Sequence, residues 1–157
     1  MTTENNIDKD AVTAIVEQFG AKPEMLVQIL QAIVMRHGWV SEDAIRQLAD
    51  ELNLSRADVY GVVSYYHDFR TEKPGQHIVK ICQAEACQAM GSRALTSHAQ
   101  TSLGARMHGT NDAVTLEPVY CLGNCACAPA IMIDGKTHGR VSAGRFDELV
   151  GAMKAAR

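Results

Sequence analysis

The chain has 157 residues, of which 46% are hydrophobic and 21% charged, a composition that suits one or two small globular domains and excludes a wholly disordered chain. Its formal net charge of −3 at pH 7 argues against nucleic acid as a partner, because a phosphate backbone needs a basic surface. The opening MTTENNIDKD has no signal-peptide character and no uncharged apolar stretch reaches about 18 residues, so we expect a cytoplasmic protein without direct membrane insertion.

Residues 11–67 follow helical periods and predict four amphipathic helices. Pro23 begins the second and Gly38 ends it, Ser41 is an N-cap for the third, and Ser55 with Asp58 forms a capping-box start for the fourth. The apolar stripes are Val12, Ile15, Val16 and Phe19; Leu26, Ile29, Leu30, Ile33 and Val34; Ile45, Leu48, Ala49 and Leu52; and Val59, Val62, Val63 and Tyr66. The short loops favour an antiparallel helical bundle at residues 1–70.

The segment Tyr65–Phe69 is interpreted as the end of the fourth buried stripe, with a partner surface as the alternative. Thr71, Lys73, Pro74 and Gly75 then break the helical pattern. Residues 1–70 carry 11 acidic and 6 basic side chains, whereas residues 71–157 carry 7 and 9. The chain is therefore expected to hold two modules.

The second half changes from helical to alternating periods, with short β-branched runs. The pattern predicts strands at His77–Cys82 and Val114–Tyr120, a helix at Ala89–Leu103, a hairpin of Ala130–Ile133 and Thr137–Val141 around Asp134-Gly135, and a helix at Ala143–Ala155. Pro118 would make the second strand an edge or irregular one. The fold class is α+β, a helical bundle followed by a thioredoxin-like α/β domain at residues 76–157.

All five cysteines lie between Cys82 and Cys127, and an odd cluster of this kind in a reducing compartment is more often metal-binding or catalytic than disulfide-bonded. Cys82 and Cys87 enclose four residues, and Cys121 and Cys125 enclose three. Each pair follows a predicted strand directly. Since loops at the ends of neighbouring strands can converge, the two pairs can meet as four thiolates around one metal centre.

The spacing of the cysteines bears on which metal they would hold. Structural zinc sites usually use C-x2-C knuckles, whereas spacings of four and three residues give the wider reach that an iron–sulfur rhomb needs. A plant-type ferredoxin is excluded, because Met90 stands where its third cysteine would be. A zinc-stabilised interaction module remains an alternative, as does a thiol–disulfide oxidoreductase, although C-x-x-C at a helix start is missing. The six histidines are scattered without metal-ligand spacing.

Together, Cys82-x4-Cys87 and the segment VYCLGNCACAPA at residues 119–130 resemble one known family. It is the thioredoxin-like 2Fe-2S subunit of NADH-dehydrogenase-type flavoprotein modules, which includes subunits of complex I, of NAD-linked hydrogenases and of soluble NAD-dependent formate dehydrogenases. The resemblance covers nearly the whole chain. Its short length and the continuation Cys87-Gln88-Ala89-Met90-Gly91 favour the gamma subunit of a formate dehydrogenase.

The resemblance implies that Cys82, Cys87, Cys121 and Cys125 bind one 2Fe-2S cluster, while Cys127 falls on a position that the family does not use as a ligand. It also implies a larger flavoprotein subunit that binds FMN and NAD. The 157 residues contain no G-x-G-x-x-G fingerprint, consistent with nucleotide binding elsewhere. The expected function is electron transfer as a subunit, not stand-alone catalysis; a free-standing 2Fe-2S ferredoxin is a further alternative.

Overall fold

The computed structural model describes residues 7–155, so most of the opening segment inspected for a leader lies outside the described residues. The chain divides into two compact units at the bond between Lys73 and Pro74. Each unit encloses its own cluster of buried apolar side chains. The helical unit and the sheet unit, as we call them below, are therefore stabilised by separate cores.

Four α-helices build the helical unit, as the periodicity predicted. They are α1 (Lys9–Gln18), α2 (Leu26–His37), α3 (Glu42–Glu51) and α4 (Arg56–Tyr65). The Ser41 hydroxyl accepts the Ala44 N–H at 3.0 Å as the N-cap of α3, and Ser55 and Asp58 form a reciprocal capping box on α4. Gly38 ends α2 with φ +85, a conformation that costs a residue without Cβ little. Local capping signals thus fix where these helices begin and end.

Two details of the helical unit differ from the prediction. Pro23 opens a separate 3-10 turn, Pro23–Met25, and α2 begins only at Leu26. Tyr66 is 43% exposed, so the expectation that it ends a buried stripe is wrong. The backbone becomes extended at Tyr66, beyond the last residue of α4, and Phe69 is the aromatic residue of this segment that enters the core.

A five-stranded mixed sheet forms the sheet unit. Its strands are β1 (His77–Cys82), β2 (Gly109–Thr110), β3 (Val114–Val119), β4 (Ile131–Ile133) and β5 (Lys136–His138), in the order β2-β3-β1-β4-β5. Strand β1 runs parallel to β3, with Cys82 opposite Val119, and the other pairs are antiparallel. Because parallel strands end at the same edge of a sheet, the loops that follow β1 and β3 begin side by side.

Three helices accompany the sheet: α5 (Glu85–Ala89), α6 (Ser92–Leu103) and α7 (Ala143–Ala155). The prediction of one helix over residues 89–103 is wrong at its start, because Gly91 has φ +95 and separates α5 from α6. Phe146 of α7 is fully buried with Val79, Ile81 and Leu116 of the strands. This core holds the sheet against its helices.

The hairpin and the neighbourhood of Pro118 show how turn chemistry positions the sheet. Asp134 and Gly135 have φ of +47 and +82, as a two-residue hairpin turn requires, which confirms the predicted turn. Strand β5 ends at His138, short of the predicted Val141. Strand β3 is interior because of the unpredicted β2, but β2 pairs only with Thr115 and Leu116. Pro118 therefore lies where β3 has a neighbour on one side only.

Within residues 7–155, no helix is at once long enough and apolar enough to cross a bilayer.

Candidate metal centre

Cys82 is the last residue of β1 and lies buried where the strand leaves the sheet. Its N–H donates to the carbonyl of Ala130 at 3.1 Å, and the N–H of Gln83 donates to the carbonyl of Val119 at 2.8 Å. The Ser92 hydroxyl donates to the Cys82 carbonyl. Backbone bonds to both neighbouring strands therefore fix the position from which the Cys82 side chain starts.

Cys87 lies in the middle of the short helix α5 and is also buried. It packs with Cys82, Ala128 and Ala130 in a small apolar cluster, which we call the cysteine cluster. Burial raises the pKa of the Cys87 thiol, and its hydrogen bond with Cys82 raises the pKa further, whereas a hydrogen bond with the Ala130 backbone lowers it. The first cysteine pair is thus in contact within a water-poor environment.

Cys121 and Cys125 form the second pair, on the loop that follows β3. Their sulfur atoms are 3.9 Å apart, and the N–H of Gly123 donates to Cys121 Sγ at 3.3 Å. Cys121 has φ +129, an uncommon conformation for a residue with a side chain. Both cysteines are exposed. A hydrogen bond with Cys121, followed by charge repulsion from it, raises the pKa of the Cys125 thiol.

The two pairs lie at the same end of the sheet, and electrostatic interactions join Cys125 to Cys87 and Cys82. Among the residues that the structure describes, no three His, Cys, Asp or Glu side chains are close enough together to hold a metal ion. Each predicted pair is therefore brought together, and the pairs are neighbours, but the four sulfurs do not surround one point.

The donor set fits a thiolate-bound centre. Thiolates are soft ligands that suit iron–sulfur clusters and zinc, and four thiols in two close pairs supply them. The raised pKa values of Cys87 and Cys125 arise partly because each sulfur faces another. A bound cation reverses this effect by favouring the deprotonated thiolates, so loading the site must release protons.

Cys127 stands apart from both pairs. It ends the 3-10 turn Cys125–Cys127, is only partly exposed, and does not belong to the cysteine cluster. Its backbone carbonyl accepts the N–H of Arg140 at 2.6 Å. Cys125 and Cys127 are two residues apart, and in a 3-10 turn of about three residues per turn such side chains point in different directions.

Sequence reasoning anticipated part of the surroundings of the sulfurs. The small residues between and beside the cysteines suggested approaching backbone amides, and Gly123 provides such a donor. The hydrogen bond between Cys87 and the Ala130 backbone was missed, because β4 contacts the end of β1 only through the antiparallel pairing of distant residues. The scattered histidines take no part in either pair; His77 and His98 bind Asp134 and Asp147 instead.

A family model described as thioredoxin-like [2Fe-2S] ferredoxin matches residues 12–154 of the chain. An NADH-quinone oxidoreductase subunit from Pseudomonas aeruginosa is 35% identical over 128 residues, covering 80% of this chain and 77% of that protein. The NADH-quinone oxidoreductase subunit of the same name from Escherichia coli strain K12 is 29% identical over 130 residues, covering 82% of this chain and 78% of the relative.

Among solved structures, the fold resembles part of an NAD+-reducing [NiFe]-hydrogenase in its air-oxidised state, with a TM-score of 0.69 and 24% sequence identity. The match covers 84% of this chain and 23% of the hydrogenase chain. At this level of identity, the likeness concerns the fold alone.

Proposed function

The chain belongs to the thioredoxin-like [2Fe-2S] ferredoxin family, and from that premise we propose that it is an electron-transfer subunit of an NAD-linked oxidoreductase complex. A 2Fe-2S cluster is the cofactor of the family, and it supplies one-electron oxidation and reduction when bound. The observation that carries the proposal is the pair of cysteines after each of two adjacent, parallel strands, β1 and β3. A single sheet end thus offers four thiols.

We assign the cluster ligands to Cys82, Cys87, Cys121 and Cys125. Cys82 and Cys87 hydrogen-bond to each other inside the cysteine cluster, and the sulfurs of Cys121 and Cys125 are 3.9 Å apart. The buried pair keeps water from one side of the site, while the Gly123 N–H stabilises negative charge on the Cys121 sulfur. The exposed pair leaves the other side open to an approaching redox partner.

The partner in this proposal is a flavoprotein subunit that binds FMN and NAD. The relatives from P. aeruginosa and E. coli are named as subunits of NADH-quinone oxidoreductase, which supports membership of a larger complex. Uncharged aromatic side chains are exposed on both units: Tyr60 and Tyr65 on α4, and Tyr120 next to Cys121. Exposed tyrosines are common anchors of protein interfaces.

We propose that the two predicted domains divide these tasks. The helical bundle at residues 1–70 would contribute surface for assembly, and the thioredoxin-like domain at residues 76–157 would hold the cluster. Five free cysteines among the described residues suit a reducing compartment, so we place the complex in the cytoplasm.

Within the family we propose the formate dehydrogenase branch, in which this chain is the gamma subunit. The support is the continuation Cys87-Gln88-Ala89-Met90-Gly91 after the first cysteine pair. A second candidate is the equivalent subunit of NADH-quinone oxidoreductase, which the names of the relatives favour. An NAD-linked hydrogenase is the third member of the same group.

Anaerobic purification of the complex through a tag on this chain tests the proposal. We expect FMN and a flavoprotein to co-purify, and NADH to produce a 2Fe-2S electron paramagnetic resonance (EPR) signal that the Cys121→Ala variant lacks. Reduction by formate would support the formate branch, whereas reduction by hydrogen would support the hydrogenase. A colourless chain that purifies alone with one zinc ion would contradict electron transfer and indicate a zinc-stabilised interaction module.

A further inference from the structure

We propose that Gly139 is a positioning residue for the cluster. The absence of a side chain at this residue lets the backbone that follows β5 press against the turn Cys125–Cys127, and this contact sets where the Cys125 sulfur lies. The inference rests on the proposed function in one respect, the role of Cys125 as a ligand.

The space beside Gly139 is filled by the cysteine loop. A Cβ atom at residue 139 would lie 2.6 Å from Cβ of Cys127, 2.7 Å from Nδ2 of Asn124 and 2.9 Å from the carbonyl oxygen of Cys127. Favourable contacts between carbon atoms are at about 3.5–4.0 Å. The residue before Cys125 and the second residue after it therefore both contact Gly139, so any side chain there must move the segment that carries Cys125.

Hydrogen bonds tie the same two segments together. The N–H of Arg140 donates to the carbonyl of Cys127 at 2.6 Å, and the N–H of Val141 donates to the carbonyl of Pro129 at 3.0 Å. Within the loop, the N–H of Cys127 donates to the carbonyl of Asn124 at 3.0 Å. The turn is thus bound along its length to the strand end, and a displacement at Cys127 is transmitted to Asn124.

The Gly139 side of the contact is the more firmly fixed one. On one side of it, His138 pairs with Ile131 in the sheet. On the other, Val141 is buried in the core of the sheet unit. Cys121 and Cys125, in contrast, are exposed. An added methyl group at residue 139 is therefore accommodated by movement of the cysteine loop, which changes the 3.9 Å spacing of Cys121 and Cys125.

Alanine at residue 139 isolates this steric effect. Gly139 does not have the positive φ that disfavours a side chain, so Gly139→Ala adds a methyl group without backbone strain. Gly75→Ala is a matched control, because its Cβ would meet Val114 N at 2.6 Å and Asn111 O at 2.7 Å. That collision occurs beside Val114, which pairs with His77 at the other end of β1 and β3 from Cys82.

The experiment compares the full-length wild type, Gly139→Ala and Gly75→Ala after anaerobic reconstitution with iron and sulfide. Iron per chain, EPR g-values, midpoint potential and thermal unfolding are measured on the same samples. We expect Gly139→Ala to shift the g-values and the potential, or to lose cluster iron, while Gly75→Ala lowers the melting temperature and keeps the wild-type g-values and potential. Wild-type g-values and potential in Gly139→Ala would overturn the inference.

Two further measurements separate the possible failures. If Gly139→Ala does not fold, Gly139→Ala/Cys127→Gly is compared with Cys127→Gly alone, since the nearest colliding atom is then gone; identical spectra would overturn the inference. If the wild type binds no 2Fe-2S cluster, the proposed function fails, and the rate of Cys125 alkylation by iodoacetamide in the metal-free chain decides the positioning role. A rate that shifts in Gly139→Ala but not in Gly75→Ala supports that role, and unchanged rates contradict it.

Discussion

The helical unit and the cysteine end of the sheet unit bury very different kinds of surface. The helices enclose large aliphatic side chains from all four elements, among them Ile29, Leu48 and Val59. The cysteine cluster is formed by two cysteines and two alanines, and the second cysteine pair is exposed. Burial of large apolar side chains stabilises the helical unit by itself. The cysteine end has little apolar surface of its own to bury, so its order should depend on what the thiols bind.

Removing one ligand should have the largest effect, and it tests the cysteine end alone. Cys125→Ala is expected to lose the 2Fe-2S signal and its two irons, because three remaining thiolates cannot hold the cluster in the proposed arrangement. Cys127→Ala is the matched control from the same 3-10 turn. Iron analysis and EPR spectroscopy check both variants. Retention of the cluster in Cys125→Ala, with loss in Cys127→Ala, would exchange the ligand assignment of the two residues.

A cavity in the helical core should destabilise the protein with or without a cluster. Leu30 is fully buried on α2, whereas Met35 on the same helix is 89% exposed. We expect Leu30→Ala to reduce the free energy of unfolding by about 2–5 kcal/mol, and Met35→Ala to change it by less than about 0.5 kcal/mol. Urea unfolding of the metal-free chain followed by circular dichroism measures both. Equal effects would break the contrast between a self-sufficient helical unit and a cofactor-dependent end.

A helix cap of the same unit should contribute less than its core. Ser55→Ala removes the side-chain acceptor for the Asp58 N–H and one half of the capping box on α4. We expect a loss of about 1 kcal/mol in the free energy of unfolding. Ser64→Ala, at an exposed position of the same helix, is the control for loss of a serine hydroxyl. A loss as large for Ser64→Ala would show that capping is not the cause.

The smallest effect is a pH dependence that both units share. Burial, with Arg36 adding to it, lowers the pKa of His37 below the ordinary 6.5, and burial with nearby Lys136 and Arg145 does the same for His138. Between the lowered and ordinary values the unfolded chain binds more protons, so the free energy of unfolding falls as pH drops below about 6.5 and is unaffected above it. Denaturant titrations from pH 8 to 5 measure this slope.

The double variant His37→Gln/His138→Gln should flatten that slope in the metal-free chain. An unchanged slope would assign the pH dependence to other groups.

Local signals predicted much of the fold because they act within a few residues. Ser41, Ser55 and Gly38 delimit helices through their own hydrogen bonds or φ angles, and Asp134-Gly135 makes its turn with two positive φ values. The break at Gly91 was missed because residues on both sides of it are helical. The two-residue strand β2 carries no recognisable period, since it exists only through its pairing with β3.

The candidate site was predictable in part for the same reason. Cysteine spacing and the preceding strands placed the pairs at loops, and the parallel register of β1 and β3 brings those loops together. The ligand assignment itself stays a prediction. The contact of Gly139 with Cys127 joins residues twelve positions apart across a hairpin, and no pattern in the sequence announces such a contact.

The most direct test of the account is an iron and sulfide determination on the anaerobically purified wild-type chain, combined with its EPR spectrum after dithionite reduction. Four thiols at one sheet end predict two irons, two sulfides and one 2Fe-2S signal per chain. A protein with one zinc and no signal, even after anaerobic reconstitution, would contradict the claim that this end of the sheet is built to carry electrons.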